Sequence, residues 1–367
     1  MEAAYSQGKT LFITAFHPGG IGFIGAGEAI SEQHLKTFLS HGAEVHVICL
    51  APAYQMANPA IVELCGTYTS LVHTRWKALR ALIYHRNIGS FIAPWFFTRV
   101  CRQNLEYIVA AIQQHDISHV HLDFPSCLGF SRMVGGLPIQ YTMHDVVTQK
   151  IERKPLLKYV SKRVASIESS LLSRVSKCYA LSEKDASRCR ALGYEGEMEI
   201  LAPSNNRVGI VTNGRPIQEV ISQFKGRINL VFFGNMHRQE NHNSILKFLV
   251  TAYPGIWLKN RDVRLWILGL APRWPLRLLG YLIPGLEVVG AVDDPTLAFQ
   301  KATLCIAPVY YGAGVKIKVL QMLDAGASVI ATAIGAEGIP DSDRLKVVEN
   351  DQFTVEVNRF LSRHESR

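Results

Sequence analysis

A glycine-rich turn that carries two lysines is the part of this sequence best suited to chemistry. It reads "YYGAGVKIK" and leads into an apolar run that ends at a glycine. A helix beginning near Val315 would aim free backbone N–H groups and the positive end of its dipole at an anion. Gly312 and Gly314 would allow close approach, and Lys316 or Lys318 would supply full positive charge. The pattern fits a diphosphate site, although the same glycines could simply turn a strand into a helix.

Titratable side chains follow several other strand-like runs. His17 lies in "HPGG", Asp123 lies in "HLDF", and His144 and Asp145 form "HD". In an open parallel sheet, ligands bind outside the carboxyl ends of the strands, where these residues would lie. His144 could move a proton there and Asp123 could act as a general base, but an isolated histidine is as often structural.

The elements that must position these residues alternate between β-rich and helical patterns. "TLFITAF" and "AEVHVICL" are typical of strands, and "EAISEQHLKTFLSHG" between them has helical spacing. Such alternation predicts parallel pairing, so the fold class is α/β with doubly wound sheets. The 367 residues suit two domains. We predict a first domain over 1–203, a linker over the polar residues 204–227 and a second domain over 228–367, whose final helix is a candidate to pack back on the first domain.

Cysteine usage and hydropathy indicate a cytosolic protein. The seven cysteines are scattered without a CxxC pair, which fits reduced thiols and predicts neither a disulfide framework nor a zinc site. No run of 18 apolar residues is present, and the N-terminus lacks the basic start of a secretory signal.

Positive charge is concentrated in stretches that lack acidic residues. The net charge is +9, and no Asp or Glu occurs between Cys65 and Leu105. The basic residues there are Arg75, Lys77, Arg80, Arg86, Arg99 and Arg102, and the Trp and Phe residues among them are Trp76, Phe91, Trp95, Phe96 and Phe97. A second acid-free stretch is "LAPRWPLRLLGYLIPGL". Basic residues mixed with aromatic ones favour an anionic membrane surface over nucleic acid, since no nucleic-acid motif accompanies them. The alternative is a solvated basic face over buried aromatics.

Taken whole, residues 308–339 resemble the C-terminal signature of family 4 glycosyltransferases of the GT-B fold. The match is ordered: a strand, a G-x-G-x-x-x-K turn, a helix, "AG", the strand "VIAT" and then "GAEGI". "FFGNMHRQENHNSILKFL" is similar to the opening of that family's donor domain, and "EVVGAVDD" to its base-binding loop. The resemblance implies two Rossmann-like domains facing across a cleft and a nucleotide-sugar donor.

The resemblance also implies roles for individual residues of the second domain. Lys318 matches the lysine before the family's ribose-binding glutamate. Residues 312–316 match the turn that faces the donor diphosphate. Val292 and Asp293 fall where the family's backbone reads the base of the nucleotide.

Other matches and departures bear on the donor. Gly19 and Gly20 match a loop of the first domain that packs over the phosphates. Where the family often has two glutamates separated by seven residues, this chain has Ala313 and Gln321. Gln321 can accept a hydrogen bond from ribose through its amide oxygen only. Arg238 is a candidate to help neutralise the diphosphate.

The expected function is sugar transfer to a lipid-linked saccharide or other glycan acceptor, in bacterial-type surface polysaccharide assembly at the inner face of the membrane. The resemblance implies retention of configuration, in which the leaving phosphate takes the acceptor proton. The expected catalytic residues are Lys318, His144 and Asp123. No cofactor or metal is expected beyond the donor itself. One alternative is an inverting transferase with Asp123 as base. Another is a non-catalytic protein of the same fold that binds a nucleotide or glycan.

Overall fold

The computed structural model describes residues 8–21, 25–85, 88–203, 211, 214–224 and 228–365. It divides the chain into two compact units, of which the N-terminal unit ends at residue 205 and the C-terminal unit begins at residue 206. Each unit contains one sheet with all strands parallel, and helices connect the consecutive strands except β12 and β13. The predicted α/β class with two doubly wound sheets is therefore confirmed.

The sheet of the N-terminal unit has seven strands in the order β3-β2-β1-β4-β5-β6-β7. The strands are β1 (Lys9–Thr14), β2 (Glu44–Cys49), β3 (Thr67–Ser70), β4 (His119–Asp123), β5 (Ile139–Met143), β6 (Lys177–Ala180) and β7 (Glu197–Ile200). The α-helices are α1 (Ala26–Ser40), α2 (Pro59–Val62), α3 (Arg75–Tyr84), α4 (Ile88–Ile92), α5 (Arg102–His115), α6 (Pro125–Leu128), α7 (Val147–Glu152), α8 (Ser161–Leu172) and α9 (Glu183–Ala191).

The central strands of this sheet are buried on both faces. Leu11 and Ile13 of β1 pack in one core cluster together with Ile108 of α5. Phe12, which points to the opposite face, packs against Phe38 of α1 with 6.3 Å between ring centroids. Burial of β1 and β4 on both faces fixes the position of their carboxyl ends, from which the polar residues of the site project.

The sheet of the C-terminal unit has six strands in the order β10-β9-β8-β11-β12-β13. The strands are β8 (Ile228–Phe233), β9 (Val263–Leu268), β10 (Leu286–Gly290), β11 (Leu304–Ala307), β12 (Val329–Thr332) and β13 (Leu345–Val348). The α-helices are α10 (Ile217–Ile221), α11 (Gln239–Thr251), α12 (Tyr253–Lys259), α13 (Trp274–Leu282), α14 (Thr296–Lys301), α15 (Ile317–Asp324) and α16 (Phe353–Glu365). Because β8 and β11 are neighbours, the loops that follow them lie side by side at one edge of the sheet.

Part of the predicted linker is built into the C-terminal unit. Arg215 forms a parallel bridge with Val292, and α10 buries Ile217 and Val220 in a core cluster of this unit. Residues 204–210, 212–213 and 225–227 of the predicted linker lie outside the described residues. The last helix, α16, packs against α12 and β12 within the C-terminal unit. In the part of the chain that the structure describes, no helix is long and apolar enough to cross a bilayer.

Two histidines are fully buried beneath the N-terminal sheet. His34 Nδ1 lies 2.5 Å from Thr142 Oγ1, and His121 Nε2 lies 2.8 Å from the same hydroxyl. Burial, above all, lowers the pKa of His34 to about 3 and the pKa of His121 well below 6.5. Both imidazoles are therefore neutral in the folded protein.

These histidines predict a loss of stability in mild acid. Below pH 6.5 the unfolded chain protonates both imidazoles while the folded protein does not. The free energy of unfolding should therefore fall, by up to about 1.4 kcal/mol per pH unit for each histidine, as the pH drops from about 6 to 4. Urea unfolding at several pH values measures this. His34→Gln should reduce the dependence of the free energy of unfolding on pH. His41→Gln, at an exposed position, should leave this dependence unchanged. An equal pH dependence in both variants would contradict the neutral state assigned to His34.

Candidate functional site

The glycine turn of the C-terminal unit connects β11 to α15 and requires its glycines. Gly312 has φ +105° and Gly314 has φ +74°, in the left-handed region that side chains with a Cβ rarely adopt. The helix begins at Ile317 with Lys316 as N-cap, two residues beyond the predicted start near Val315. The turn thus remains open backbone as far as Lys316, and the helix dipole begins only after it.

Lys316 closes this turn. Its Nζ donates hydrogen bonds to the carbonyl oxygens of Ala313 (3.0 Å) and Gly314 (2.5 Å). The same Nζ lies 3.8 Å from Oε2 of the buried Glu337, in the "GAEGI" loop that follows β12. Part of the charge of Lys316 is therefore already balanced within the protein, so its contribution to an anion site is smaller than the sequence predicts.

Lys318 is held by neutral groups. Its Nζ donates to Asn241 Oδ1 at 3.0 Å and lies over the ring of Phe232, 4.7 Å from the centroid. Burial, followed by the charges of Lys316 and Arg238, lowers the pKa of Lys318 to about 7. Within the described residues no carboxylate is at ion-pair distance from this Nζ. A cation held without a counter-ion at the ligand edge of a sheet is suited to an incoming anion.

The first turn of α11 completes the surroundings of Lys318. Arg238 is the N-cap of this helix and its side chain is exposed. Asn241, one turn further along, accepts from Lys318 and donates to the carbonyl of Asn235. Glu240 contributes a carboxylate beside the turn, since a Cβ on Gly312 would lie 3.6 Å from its Cγ. Gln321, one turn after Lys318 in α15, is buried.

The loop predicted to bind the base of the nucleotide already forms hydrogen bonds with the backbone of its own chain. Asp293 N donates to the carbonyl of Arg215 at 3.0 Å, and the carbonyl of Asp293 accepts from Val211 N at 3.1 Å. Asp293 Oδ1 accepts from Ile217 N at 2.9 Å, and Val292 is buried. Base recognition through the backbone of Asp293 would have to compete with these hydrogen bonds.

In the N-terminal unit, the ends of three adjacent strands meet at the carboxylate of Asp123. Its Oδ2 accepts from Oγ1 of Thr14, the last residue of β1, at 2.9 Å, and from Oγ of Ser31, on α1, at 2.5 Å. Its Oδ1 lies 2.7 Å from His144 Nε2, after β5. Asp123 is completely buried and His144 nearly so. Asp123 therefore fixes the orientation of the His144 ring rather than presenting a free carboxylate.

Phe124 packs against the ring of His144, and its own backbone is strained. Its ring stacks on His144 with 3.9 Å between centroids and 3° between planes. Its φ is +74°, which for a residue with a side chain costs about 1–3 kcal/mol. Gly27 approaches the same stack, since a Cβ there would lie 2.6 Å from Phe124 Cε1.

The remaining candidates of the N-terminal unit have structural partners. His17 Nδ1 lies 2.8 Å from Tyr68 Oη, and Asp145 pairs with Lys150 at 2.9 Å. Gly19 has φ +55°, and a Cβ there would lie 2.4 Å from Oε2 of Glu32, a buried carboxylate paired with Lys36. A Cβ on Gly20 would lie 3.1 Å from the carbonyl of Met56. The loop of Gly19 and Gly20 is thus tightly packed around a balanced charge.

The basic and aromatic stretch between Cys65 and Leu105 separates into two parts. Phe96 and Phe97 are core residues, and the buried Arg99 donates to the carbonyls of Leu50 and Ala15. For these residues the prediction of a surface is wrong, because the chain buries them within the N-terminal unit. The exposed residues are Phe91, Arg102 of α5 and one side of α3, and Arg86 lies outside the described residues.

Sequence reasoning missed Asn241, Glu240 and Glu337 in the C-terminal unit and, in the N-terminal unit, Thr14 and Ser31, which contact Asp123. Each of these side chains comes from an element distant in sequence from the residue it contacts. The run "QENHN" at the start of α11 was the available signal, because polar residues cluster there before an apolar helix.

Comparison with known proteins gives a family match and many structural relatives. Residues 227–363 match the family described as "Glycosyl transferases group 1". A search of curated proteins found no sequence match. Sucrose-phosphate synthase from Thermosynechococcus elongatus has a TM-score of 0.67 at 13% identity, covering 98% of this chain and 90% of that one. WaaG, a glycosyltransferase involved in lipopolysaccharide biosynthesis, has a TM-score of 0.63 at 15% identity, covering 97% and 91%. HepE from Anabaena, solved with UDP-glucose, has a TM-score of 0.63 at 12% identity, covering 98% and 91%. Such identities show a shared fold.

The network around Asp123 predicts a large stability difference between two aspartates. Asp123→Ala removes a buried acceptor from Thr14, Ser31 and His144, and should lower the free energy of unfolding by about 3 kcal/mol or more. Asp145→Ala is the matched control, since its partly exposed ion pair with Lys150 is worth about 1 kcal/mol or less. Urea unfolding of both variants measures this, and losses of similar size would show that the network contributes little.

Proposed function

We propose that this chain, whose residues 227–363 match the family described as "Glycosyl transferases group 1", transfers a sugar from a nucleotide-diphosphate donor to a lipid-linked or polysaccharide acceptor. The proposed setting is bacterial-type surface polysaccharide assembly at the cytoplasmic face of the membrane. The observation that carries the proposal is the uncompensated ammonium of Lys318 beside the open glycine turn. In this proposal protein cations, and no metal, neutralise the donor diphosphate.

The turn and its neighbours would bind the diphosphate as follows. The backbone of Gly312 to Lys316 lets an anion approach closely. The protonated ammonium of Lys318, which donates to Asn241 and has no carboxylate at ion-pair distance among the described residues, provides a positive charge. Arg238, the exposed N-cap of α11, adds a second charge from the loop that follows β8, the neighbour of β11. Gln321 would accept from the ribose through its amide oxygen. The UDP-glucose in the HepE structure supports a nucleotide sugar as the ligand class.

These groups suit a reaction in which the departing diphosphate gains charge. Lys318 would stabilise that charge more strongly in the transition state than in the bound donor, which is how electrostatic catalysis lowers a barrier. In the retaining mechanism that we propose first, the leaving phosphate takes the proton of the acceptor hydroxyl. His144 would then position a hydroxyl of the sugar.

A second candidate is an inverting transfer, favoured by the contact between Asp123 and His144. An in-line attack needs a general base, and a histidine held by a buried carboxylate is a suitable one. Asp123 itself is too enclosed to receive the proton, so its role in this candidate changes from base to positioning residue. The anomeric configuration of the product, read by proton NMR before it equilibrates, decides between retention and inversion.

The acceptor class is supported by the exposed surface of α3. Trp76, Leu79 and Ile83 lie at helical spacing and are 76%, 45% and 56% exposed. A groove of about 550 Å³ opens beside them, lined by Lys77, Arg80, Ile83, Tyr84, Cys101, Arg102 and Gln103. Apolar contacts next to three cations suit an amphiphilic, phosphorylated acceptor at an anionic membrane.

The donor site is tested by binding of nucleotide diphosphates and nucleotide sugars to the full chain, measured by calorimetry. Lys318→Ala should weaken the preferred ligand by about tenfold to a hundredfold, the loss typical of a charge-assisted contact. Lys301→Ala, an exposed lysine of the same unit, should bind as the unaltered protein does. If no nucleotide binds, the proposal fails in favour of a non-catalytic glycan-binding role.

The pKa of Lys318 predicts that donor affinity decreases as the pH rises. Lys318 with a pKa of about 7 is mostly neutral at pH 8 in the free protein. A bound diphosphate would raise that pKa, so binding above pH 7 takes up a proton and weakens by up to about tenfold per pH unit. A nucleotide sugar is the right probe, because its diphosphate diester does not titrate in this range.

Calorimetry from pH 6.5 to 8.5, in two buffers of different ionisation enthalpy, measures both affinity and proton uptake. The variant Lys318→Arg, whose charge does not titrate, should bind with constant affinity across this range. Constant affinity and no proton uptake in the unaltered protein would show that Lys318 does not contact the donor.

A further inference from the structure

Helix α13 of the C-terminal unit presents large apolar side chains to solvent. Trp274 is 75% exposed, Leu278 is 48%, Tyr281 is 89% and Leu282 is 66%. Their spacing of four, three and one places them along one side of the helix. Ordinary surface helices bury such a stripe, whereas here Leu276 is the residue of α13 that is completely buried.

Positive charge accompanies this stripe. No acidic residue occurs from Val263 to Leu286. Arg273 is held beside the start of α13 by the side chain of Gln239 and the carbonyl of His237. Arg277, one turn on and exposed, donates to the carbonyl of Pro272. The acidic residue nearest to Arg277 along the chain is Glu287, exposed on the edge strand β10.

The stripe has a fixed place on its unit. Helix α13 packs against β10, and its first turn contains Pro275, which predisposes the backbone to start a helix. The exposed side chains therefore project from a rigid element and not from a loose tail. Tryptophan and tyrosine are the residues that prefer the headgroup level of a bilayer, and arginine is attracted to its anionic lipids.

We propose that α13 is a membrane-binding surface of the C-terminal unit, whose partner is an anionic lipid bilayer. It is separate from the α3 surface of the N-terminal unit and does not depend on the donor or acceptor assigned above. The helix would lie in the headgroup region with Trp274, Leu278 and Tyr281 towards the acyl chains. Arg273 and Arg277 would face the lipid phosphates.

Sedimentation of the full chain with vesicles tests this surface. The vesicles contain phosphatidylcholine alone or phosphatidylcholine mixed with phosphatidylglycerol. Replacing both Trp274→Ser and Tyr281→Ser should lower the partition coefficient on anionic vesicles by about tenfold or more. Arg277→Glu should weaken binding to the anionic vesicles and leave binding to phosphatidylcholine unchanged.

Two matched double variants control the experiment. Val250→Ser with Leu258→Ser removes apolar side chains of the same unit that are 76% and 63% exposed but lie outside α13; partitioning should not change. Trp76→Ser with Tyr84→Ser reports separately on α3. If the α13 variant partitions like the unaltered protein, or if the first control loses as much, the inference is wrong.

Two further measurements separate membrane binding from self-association and from donor binding. Light scattering reports the oligomeric state, and a change there without a change in vesicle binding would make α13 a protein interface instead. Nucleotide binding of the α13 variant should match that of the unaltered protein. Failure of the unaltered protein to bind any nucleotide would overturn the proposed function but would not alter the vesicle result.

Discussion

Parallel pairing of every strand is the constraint on which both units depend. It sends all the strands of a sheet in one direction, so that their carboxyl ends and the following loops collect at one edge. At that edge the loops need not bury an apolar face, which leaves room for glycine turns and charged side chains. In both units the candidate site residues occur at this edge. They lie at the carboxyl ends of β1, β4 and β5 in one sheet and of β8 and β11 in the other.

The two edges differ in whether a buried charged group has partners that balance its charge. Asp123 receives hydrogen bonds from two hydroxyls and lies against an imidazole, so its charge is satisfied before any ligand arrives. Lys318 contacts an amide oxygen and an aromatic face, neither of which carries a formal charge. A satisfied buried charge gives rigidity, whereas an unsatisfied one stores free energy that an anion can release on binding. The first arrangement suits the positioning of a side chain, and the second suits the binding of an anion.

The fold could be predicted from the sequence because local residue patterns determine its strands, helices and turns. The structure contains the predicted alternation of strands and helices and the order of elements predicted after residue 308. It also has a turn that requires the glycines at 312 and 314. The contacts of the site could not be predicted in the same way. The pairs Lys318 with Asn241, Lys316 with Glu337 and Asp123 with His144 join residues that are 77, 21 and 21 positions apart. No periodicity connects such positions, and only the sheet order brings them together. The burial of residues in the basic stretch could not be predicted either. Arg99 and Phe96 are buried and Trp76 is exposed, although all three belong to the same basic and aromatic pattern.

The burial of Lys318 also changes its reactivity. An ammonium with a pKa of about 7 is half deprotonated at neutral pH, and the neutral amine has a free lone pair. Exposed lysines of ordinary pKa have almost none of that form at the same pH. Lys318 therefore has more of the character of a nucleophile than an exposed lysine of ordinary pKa. An anion bound in the turn would favour the protonated form of Lys318, which takes its proton from solvent, and would so lower its nucleophilicity.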